Sequence, residues 1–285
     1  MKAIGIASDS TCDLSEELKE RYGITVLPLC IHLEEEVYHD GVDITLDELF
    51  AWSDAHRLTP KTAAFSPAEA EAFLKERMEE CEELIFFTIS APMSSCNNVM
   101  KIVAEELGYE KRVHVIDSAN LSTGLGQLAI EAAIMAEKGA SVSEIIEEIE
   151  RLKPLVRVRF VIDTMNYLHR GGRCSGMTAL VAGSLKLHPC IEVVDGAMRV
   201  GKKYRGKMDK VNRSFFEDYR EDYLKGRPAR IFISHANCDD ATIHSIKSQL
   251  QALEYYDEVL VTSVGGVVAS HCGPGTLGIV YVEKG

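Results

Sequence analysis

The segment Leu84–Ser95, LIFFTISAPMSS, carries an apolar run straight into hydroxyls, Ser90, Ser94 and Ser95, and a periodic apolar stretch from Val99 to Leu107 follows. This pattern predicts a buried strand, a turn, and a helix with two serines at its start. One serine is expected to cap the helix beginning near Cys96, leaving the other beside unpaired backbone N–H groups at a positive helix end. Such a place favours an anion. The stretch holds no glycine, which argues against a phosphate cradle, so the hydroxyls point to a carboxylate or small anion held without a metal. Two more strand ends are polar, Ser8-Asp9-Ser10 and Asp117-Ser118. There, helix capping accounts for Ser10 and Ser118.

Two further clusters combine chemistry-bearing residues. YLHRGGR (Tyr167 to Arg173) joins a helix end to two glycines and to Arg170 and Arg173. Its plainer reading is a capped helix with solvated arginines. His271 precedes a Gly-Pro-Gly turn, a setting in which histidine is more often structural than functional. Ser, His and Asp are all available for a hydrolase triad, yet no G-x-S-x-G elbow exists, and no His pair has the spacing of a metal-binding helix. Taken alone, the residues define a two-domain α/β protein that binds a small anion-headed ligand.

The elements that must position these groups alternate in the first half. Strand AIGIASDS is followed by helix LSEELKERY. ITVLPLCIHL is extended but interrupted by Pro28, which predicts an edge or a bend. Helices are expected around Leu46 to Ala55 and over SPAEAEAFLKERMEE, with Ser66 as cap and Pro67 at the first helical position. LIFFTIS, a helix, RVHVIDS, and a helix ending at Gly139 complete an N-terminal Rossmann-like parallel sheet with helices on both faces. The second half reads as a mixed or antiparallel sheet with packed helices. It contains a hairpin turning at Asp195-Gly196, helix KMDKVNRSFFEDYREDYL, and strands ARIFISHAN, EVLVTSVG and LGIVYVE. The seam is expected near Lys153-Pro154, giving domains 1–155 and 156–285.

Bulk properties limit the partners. The 285 residues are 46% hydrophobic and 26% charged, with a formal net charge of −13. No basic stripe is present, so a nucleic-acid partner is not expected. The acidity is assigned to solvated helix faces such as SEIIEEIE. No apolar run reaches membrane-spanning length, and the N-terminus lacks the layout of a signal peptide, so stable membrane insertion is not expected. Eight scattered cysteines without a C-x-x-C pair, several in apolar strands (Cys30, Cys190), fit a reduced cytoplasm better than a disulfide or zinc framework.

The assembled motifs resemble the DegV family of bacterial fatty-acid-binding proteins. SDSTCDLS (Ser8 to Ser15) is similar to the family's opening Ser-Asp-Ser-x-x-Asp-Leu, and HDGVDIT to its Tyr-x-Asp-Gly-x-Asp-Ile segment. VIDSANLSTGLG, YLHRGGRCS, VVDGAMRV and GPGTLGIVY follow in the family's order over nearly the whole chain. The resemblance implies a DegV-like fold that buries one long-chain fatty acid in a tunnel between two domains. It also implies a carboxylate held by Thr62, in KTAAFSP, and by Ser94, in MSSCNN, with Ser95 beside it. Both segments depart from the family pattern, with Ala63, Phe65, Ser95 and Cys96-Asn97 replacing its usual residues.

By the same resemblance the chain is a carrier without cofactor or metal and without catalytic machinery of its own. A separate ATP-binding fatty acid kinase subunit would phosphorylate the bound acid for phospholipid synthesis. Arg170, Arg173, Arg205 and His271 are the candidates to neutralise the product or meet that partner. The competing readings are a lipid-storage or regulatory protein without a kinase, and a stand-alone hydrolase or phosphotransferase on a related fold.

Overall fold

A computed structural model describes residues 2–173 and 187–285 of the chain. The first half builds a four-stranded sheet in the order β2-β1-β6-β7 from β1 (Lys2–Asp9), β2 (Ile24–Leu27), β6 (Cys81–Thr88) and β7 (Val113–Asp117), every pair parallel. The connecting helices are α1 (Glu16–Tyr22), α3 (Pro67–Glu80), α4 (Cys96–Glu106) and α5 (Thr123–Glu137), with α6 (Val142–Leu152) packed on α5. Their starts are chemically marked. Ser66 accepts from the Glu69 N–H while the Glu69 side chain accepts from the Ser66 N–H, and Ser141 with Glu144 does the same for α6. In SEIIEEIE the isoleucines Ile145 and Ile149 are buried, which leaves the glutamates for solvent.

Pro28 ends the first pairing and the chain changes sheets. β3 (Cys30–Leu33) pairs antiparallel with β4 (Glu36–His39) on one side and β5 (Lys61–Ala63) on the other, α2 (Leu46–His56) lying between the last two in sequence. Sequence patterning did not indicate this three-stranded sheet. Strands of three and four residues are too short to show a period.

The second half forms a six-stranded mixed sheet, β10-β9-β8-β13-β11-β12. Its strands are β8 (Val156–Val161), β9 (Leu187–Val194), β10 (Ala197–Arg205), β11 (Arg230–Ala236), β12 (Glu258–Ser263) and β13 (Thr276–Val282), with only β11 and β12 paired in parallel. The β9–β10 hairpin turns at Asp195 and Gly196, both at positive φ (52° and 74°), as a tight Asp-Gly turn requires. α7 (Asn166–Gly171), α8 (Met208–Tyr223), α9 (Asp240–Gln251) and α10 (Gly266–Cys272) complete the described elements.

Period-2 alternation divides this sheet between two cores. Val161, Ile231, Ile233, Ile279 and Tyr281 join a cluster with Phe215 and Phe216 of α8. Val158, Phe160, Phe232 and Val280 face the other way and belong to the same core as β1 and β6. α5 fills the space between the sheets and packs on β1, β2, β6, β8 and β13. Gly124 allows this, since a Cβ there would stand 2.5 Å from Val158 Cγ2. Thr123 Oγ1 and Ser234 Oγ meet at 2.7 Å in the same buried seam. Among the described residues, no helix is long and apolar enough to cross a membrane.

Candidate functional site

A cavity of about 220 Å³ opens where β5, the β6–α4 loop, α7, β10 and α10 converge. Leu29, Ile89, Met93, Leu121, Phe160 and Val267 contribute apolar wall, and Thr62, Ser94, Ser95, Arg173 and His271 contribute polar atoms. A second, almost wholly apolar cavity of about 30 Å³ shares Leu121, Phe160, Val268 and Cys272 with the first and continues to Val158, Gly278 and Val280. The same four side chains therefore separate and line both.

The polar end is assembled from both halves of the chain. β5 pairs Thr62 with Ile31 of β3, and the Thr62 hydroxyl lies 2.8 Å from Nε2 of His271. His271 sits in the last turn of α10, whose N-cap, Gly265, has no side chain to cap with. Two buried carboxylates of the first half do that work. Asp13 accepts from the Gly265 N–H at 2.8 Å, and Asp40 accepts from the Gly266 N–H at 2.6 Å. Asp13 is held in turn by the Ser122 hydroxyl and Asp40 by the Ser10 hydroxyl.

At the α4 start the two serines differ. Ser95 is the N-cap, but its side chain makes no cap hydrogen bond and is exposed. Ser94 Oγ accepts weakly from the Cys96 N–H at 3.4 Å and touches Cys96 Sγ at 3.1 Å. Arg173 reaches over this loop, its Nε 3.5 Å from the Met93 carbonyl and its Nη1 donating to the Gly171 carbonyl at 2.8 Å. Phe65, three residues after Thr62 and one of the departures from the family pattern, is buried edge-to-face against Phe86 of β6.

Burial governs the titration of the site. His271 is pushed down to about 4 by desolvation, with the nearby Arg173 charge acting in the same direction, so its ring is neutral at physiological pH. Desolvation pushes the thiols of Cys96 and Cys272 up to about 12. The cavity thus offers neutral donors and one arginine, and its lining thiol, Cys272, stays protonated, as does Cys96 behind Ser94.

The candidates named from the sequence fall into two groups. Thr62, Ser94, Ser95, Arg173 and His271 come together on one cavity. Arg170 and Arg205 do not line it. Arg170 is exposed, with Nη1 3.4 Å from the Arg57 carbonyl, and Arg205 ends β10 in solvent. The Cys174-Ser175 end of the YLHRGGRCS segment lies outside the described residues.

The other polar strand ends serve the fold. Ser10 and Ser118 are not helix caps: Ser10 accepts from the Leu29 N–H and donates to Asp40, while Ser118 closes a turn with Asn120. Asp9 accepts from the Ile89 N–H, Ser90 donates to the Gly196 carbonyl, and Asp117 accepts from the Ala91 N–H. β5 and α10 are the site elements that sequence reasoning missed. GVVASHC is only seven residues long, and its capping partners lie more than two hundred residues away.

The fold and site define an α/β protein with a parallel and a mixed sheet, and with an apolar cavity carrying hydroxyls, an imidazole and a guanidinium between them. The chain belongs to the DegV family, whose model, described as "Uncharacterised protein, DegV family", matches residues 3–284. A DegV domain-containing protein of Clostridium perfringens is 32% identical over 284 residues, 100% of each chain. Among solved structures, one described as "Fatty Acid Binding of a DegV family Protein from Thermus thermophilus" matches with a TM-score of 0.88 at 29% identity, covering 99% of each chain. A stearic acid-binding protein from Eubacterium ventriosum matches with a TM-score of 0.84 at 26% identity, covering 100% of this chain and 99% of its own.

Proposed function

We propose that this protein binds one long-chain fatty acid. Its carboxylate would lie at Thr62 and Ser94, and its tail would run past Phe160 into the apolar cavity beyond. The observation that carries this reading is the polarity of the site, with hydroxyls, His271 and Arg173 on one cavity and hydrocarbon lining its continuation. The Thermus thermophilus and Eubacterium ventriosum relatives, described as binding fatty acid and stearic acid, support it. Burial of a long tail contributes about 0.8 kcal/mol per methylene, roughly 10 kcal/mol gross, whereas a desolvated carboxylate is costly unless hydrogen-bonded. The tail therefore supplies affinity and the hydroxyls select for an acid. For a tail to pass, the side chains shared by the two cavities, Phe160 and Val268 among them, must part.

We further infer that the protein is a carrier and that a separate ATP-dependent kinase acts on the carboxylate it presents. The neutral His271 and the protonated Cys272 thiol leave no poised nucleophile among the described cavity residues. Arg173, exposed beside Ser94 and Ser95, is placed to meet added phosphate charge. The free thiols of all seven described cysteines support a reducing compartment, hence the cytoplasm.

The test is organic extraction of bacterially expressed protein followed by mass spectrometry, with one long-chain acid per chain expected. Recovery of polar metabolites alone would sink the lipid reading. ATP and fatty acid are then incubated with this protein, without and with a cognate kinase. Acyl phosphate is expected only in the mixture, and its formation by this protein alone would overturn the carrier reading.

A further inference from the structure

Cys30 of β3 stands opposite His39 of β4 in the antiparallel register, so the two side chains project from one face of the ribbon. The first turn of α3 brings Glu69 to the same face, with Oε1 2.8 Å from Nε2 of His39. One donor atom from each of Cys30, His39 and Glu69 lies within 4.8 Å of the other two. Among the described residues this is the set of three such donors that the fold gathers. We propose that Cys30, His39 and Glu69 form a binding site for a zinc-class divalent cation, completed by a solvent ligand, that clasps the β3–β4 ribbon to α3.

The surroundings are those of a metal site rather than of a simple ion pair. His39 Nδ1 lies 3.2 Å from Asp43 Oδ2, and the other oxygen of Asp43 accepts from the His39 N–H. Without an ion, Nδ1–H donates to Asp43 and Nε2–H to Glu69 Oε1. Loss of the Nε2 proton would free its lone pair for a cation while Asp43 keeps the ring oriented, the carboxylate–histidine–metal arrangement. Glu69 is oriented in the same way. Its Oε2 accepts from the N–H and the hydroxyl of Ser66, both at 2.6 Å, so Oε1, which accepts from His39 Nε2–H, is the oxygen that would turn to an ion once that proton leaves.

A thiolate, an imidazole and a carboxylate suit zinc, whereas calcium and magnesium take oxygen donors alone. Bond lengths of about 2.0–2.3 Å to one central ion require only small side-chain adjustments from this spacing. The His39 and Glu69 side chains are 36% and 33% exposed, so an ion reaches the site from solvent. On binding, the Cys30 thiol and the His39 Nε2–H each release a proton to water, leaving a thiolate and a neutral imidazole as ligands, and no electron is transferred. The three ligands come from two strands and a helix, so no short sequence spacing announces them.

Cobalt titration of the full chain, reduced and stripped of metal, tests the site. The expected result is one Co²⁺ per chain, a sulfur-to-cobalt charge-transfer band, the intense visible absorption of a tetrahedral centre, and displacement of cobalt by Zn²⁺. Cys30→Ser should abolish the charge-transfer band, and Asp43→Asn should weaken binding about 10- to 100-fold. His39→Gln and Glu69→Gln should each weaken it at least about 10-fold. Both positions are part-exposed, and a glutamine at 69 keeps the capping box, so these variants decide the matter if Cys30→Ser does not fold. Absence of a sulfur-to-cobalt band in the wild type overturns the proposal. So does a band that survives in both Cys30→Ser and His39→Gln, because the thiolate would then belong to another cysteine.

Discussion

Thr62 Oγ1 and His271 Nε2 lie 2.8 Å apart across 209 residues of sequence. Each group holds the other in place at the polar end of the cavity. One comes from a strand of the first half, the other from a helix of the second whose N-terminus is pinned by Asp13 and Asp40. The candidate head-group site is therefore also a joint between the two halves.

Ser94→Ala and Thr62→Val should separate binding from stability. A hydrogen bond to a charged acceptor contributes about 1.5–3 kcal/mol, so each variant should bind a long-chain acid at least about tenfold more weakly. Without ligand, Ser94→Ala should melt like the wild type, because it loses only the weak 3.4 Å bond from Cys96. Thr62→Val should melt lower by about 1 kcal/mol of stability, since His271 loses its partner. A fatty acid methyl ester should bind poorly to wild type, and equal binding of acid and ester in a competition assay would refute the head-group assignment.

Gly171→Ala should impair binding from outside the cavity. A Cβ at this position would stand 2.2 Å from His271 Nδ1 and 2.9 Å from Cε1, so the ring must turn away from Thr62. Affinity for the acid is expected to fall about tenfold, as for loss of one charge-assisted hydrogen bond. Calorimetric titration checks this, and undiminished affinity would mean that the His271–Thr62 contact does not organise the site.

Stability against pH should carry the signature of His271. Its folded value of about 4 lies below the ordinary 6.5, so between these values the folded state holds fewer protons than the unfolded, and stability falls as pH falls. Asp9 acts in the opposite sense. Full burial raises it to about 6 from 3.8, so stability rises as pH falls through that window. Ligand-free His271→Gln should therefore lose less stability than wild type between about pH 7 and pH 4.5 in denaturant titrations. Parallel curves would show that His271 titrates normally.

Thr123 and Ser234 provide a test of the seam. Thr123→Val leaves the buried Ser234 hydroxyl without its 2.7 Å partner and should cost about 1–3 kcal/mol. Adding Ser234→Ala should restore part of that loss. A double-mutant cycle with no coupling would mean the pair contributes nothing to holding the sheets together.

Much of the fold was legible because local chemistry and global topology agree. Continuous apolar strands marked the parallel sheet, Ser66 and Pro67 the start of α3, Pro28 the break between β2 and β3, and Asp195-Gly196 the hairpin. β4, β5 and α10 were not legible, being too short to show a period and fixed by distant partners. At the site, helix-start chemistry singled out Ser94 and Ser95, while Thr62 entered only through the family resemblance. That Ser10, Ser90 and Ser118 tie loops together, whereas Ser94 faces the cavity, depends on which strand ends the second half covers.

Since α5 lies against both sheets, and Val158, Phe160 and Val280 complete the interior begun by β1 and β6, neither half keeps a closed core without the other. A fragment ending near Leu155 would leave α5 with one flank in water, and the remaining strands would expose the face that α5 covers. Denaturant therefore meets one cooperative unit, not two lobes that melt in turn. An occupant lying across this seam would leave by the parting of individual side chains such as Phe160 and Val268, with the two halves still joined.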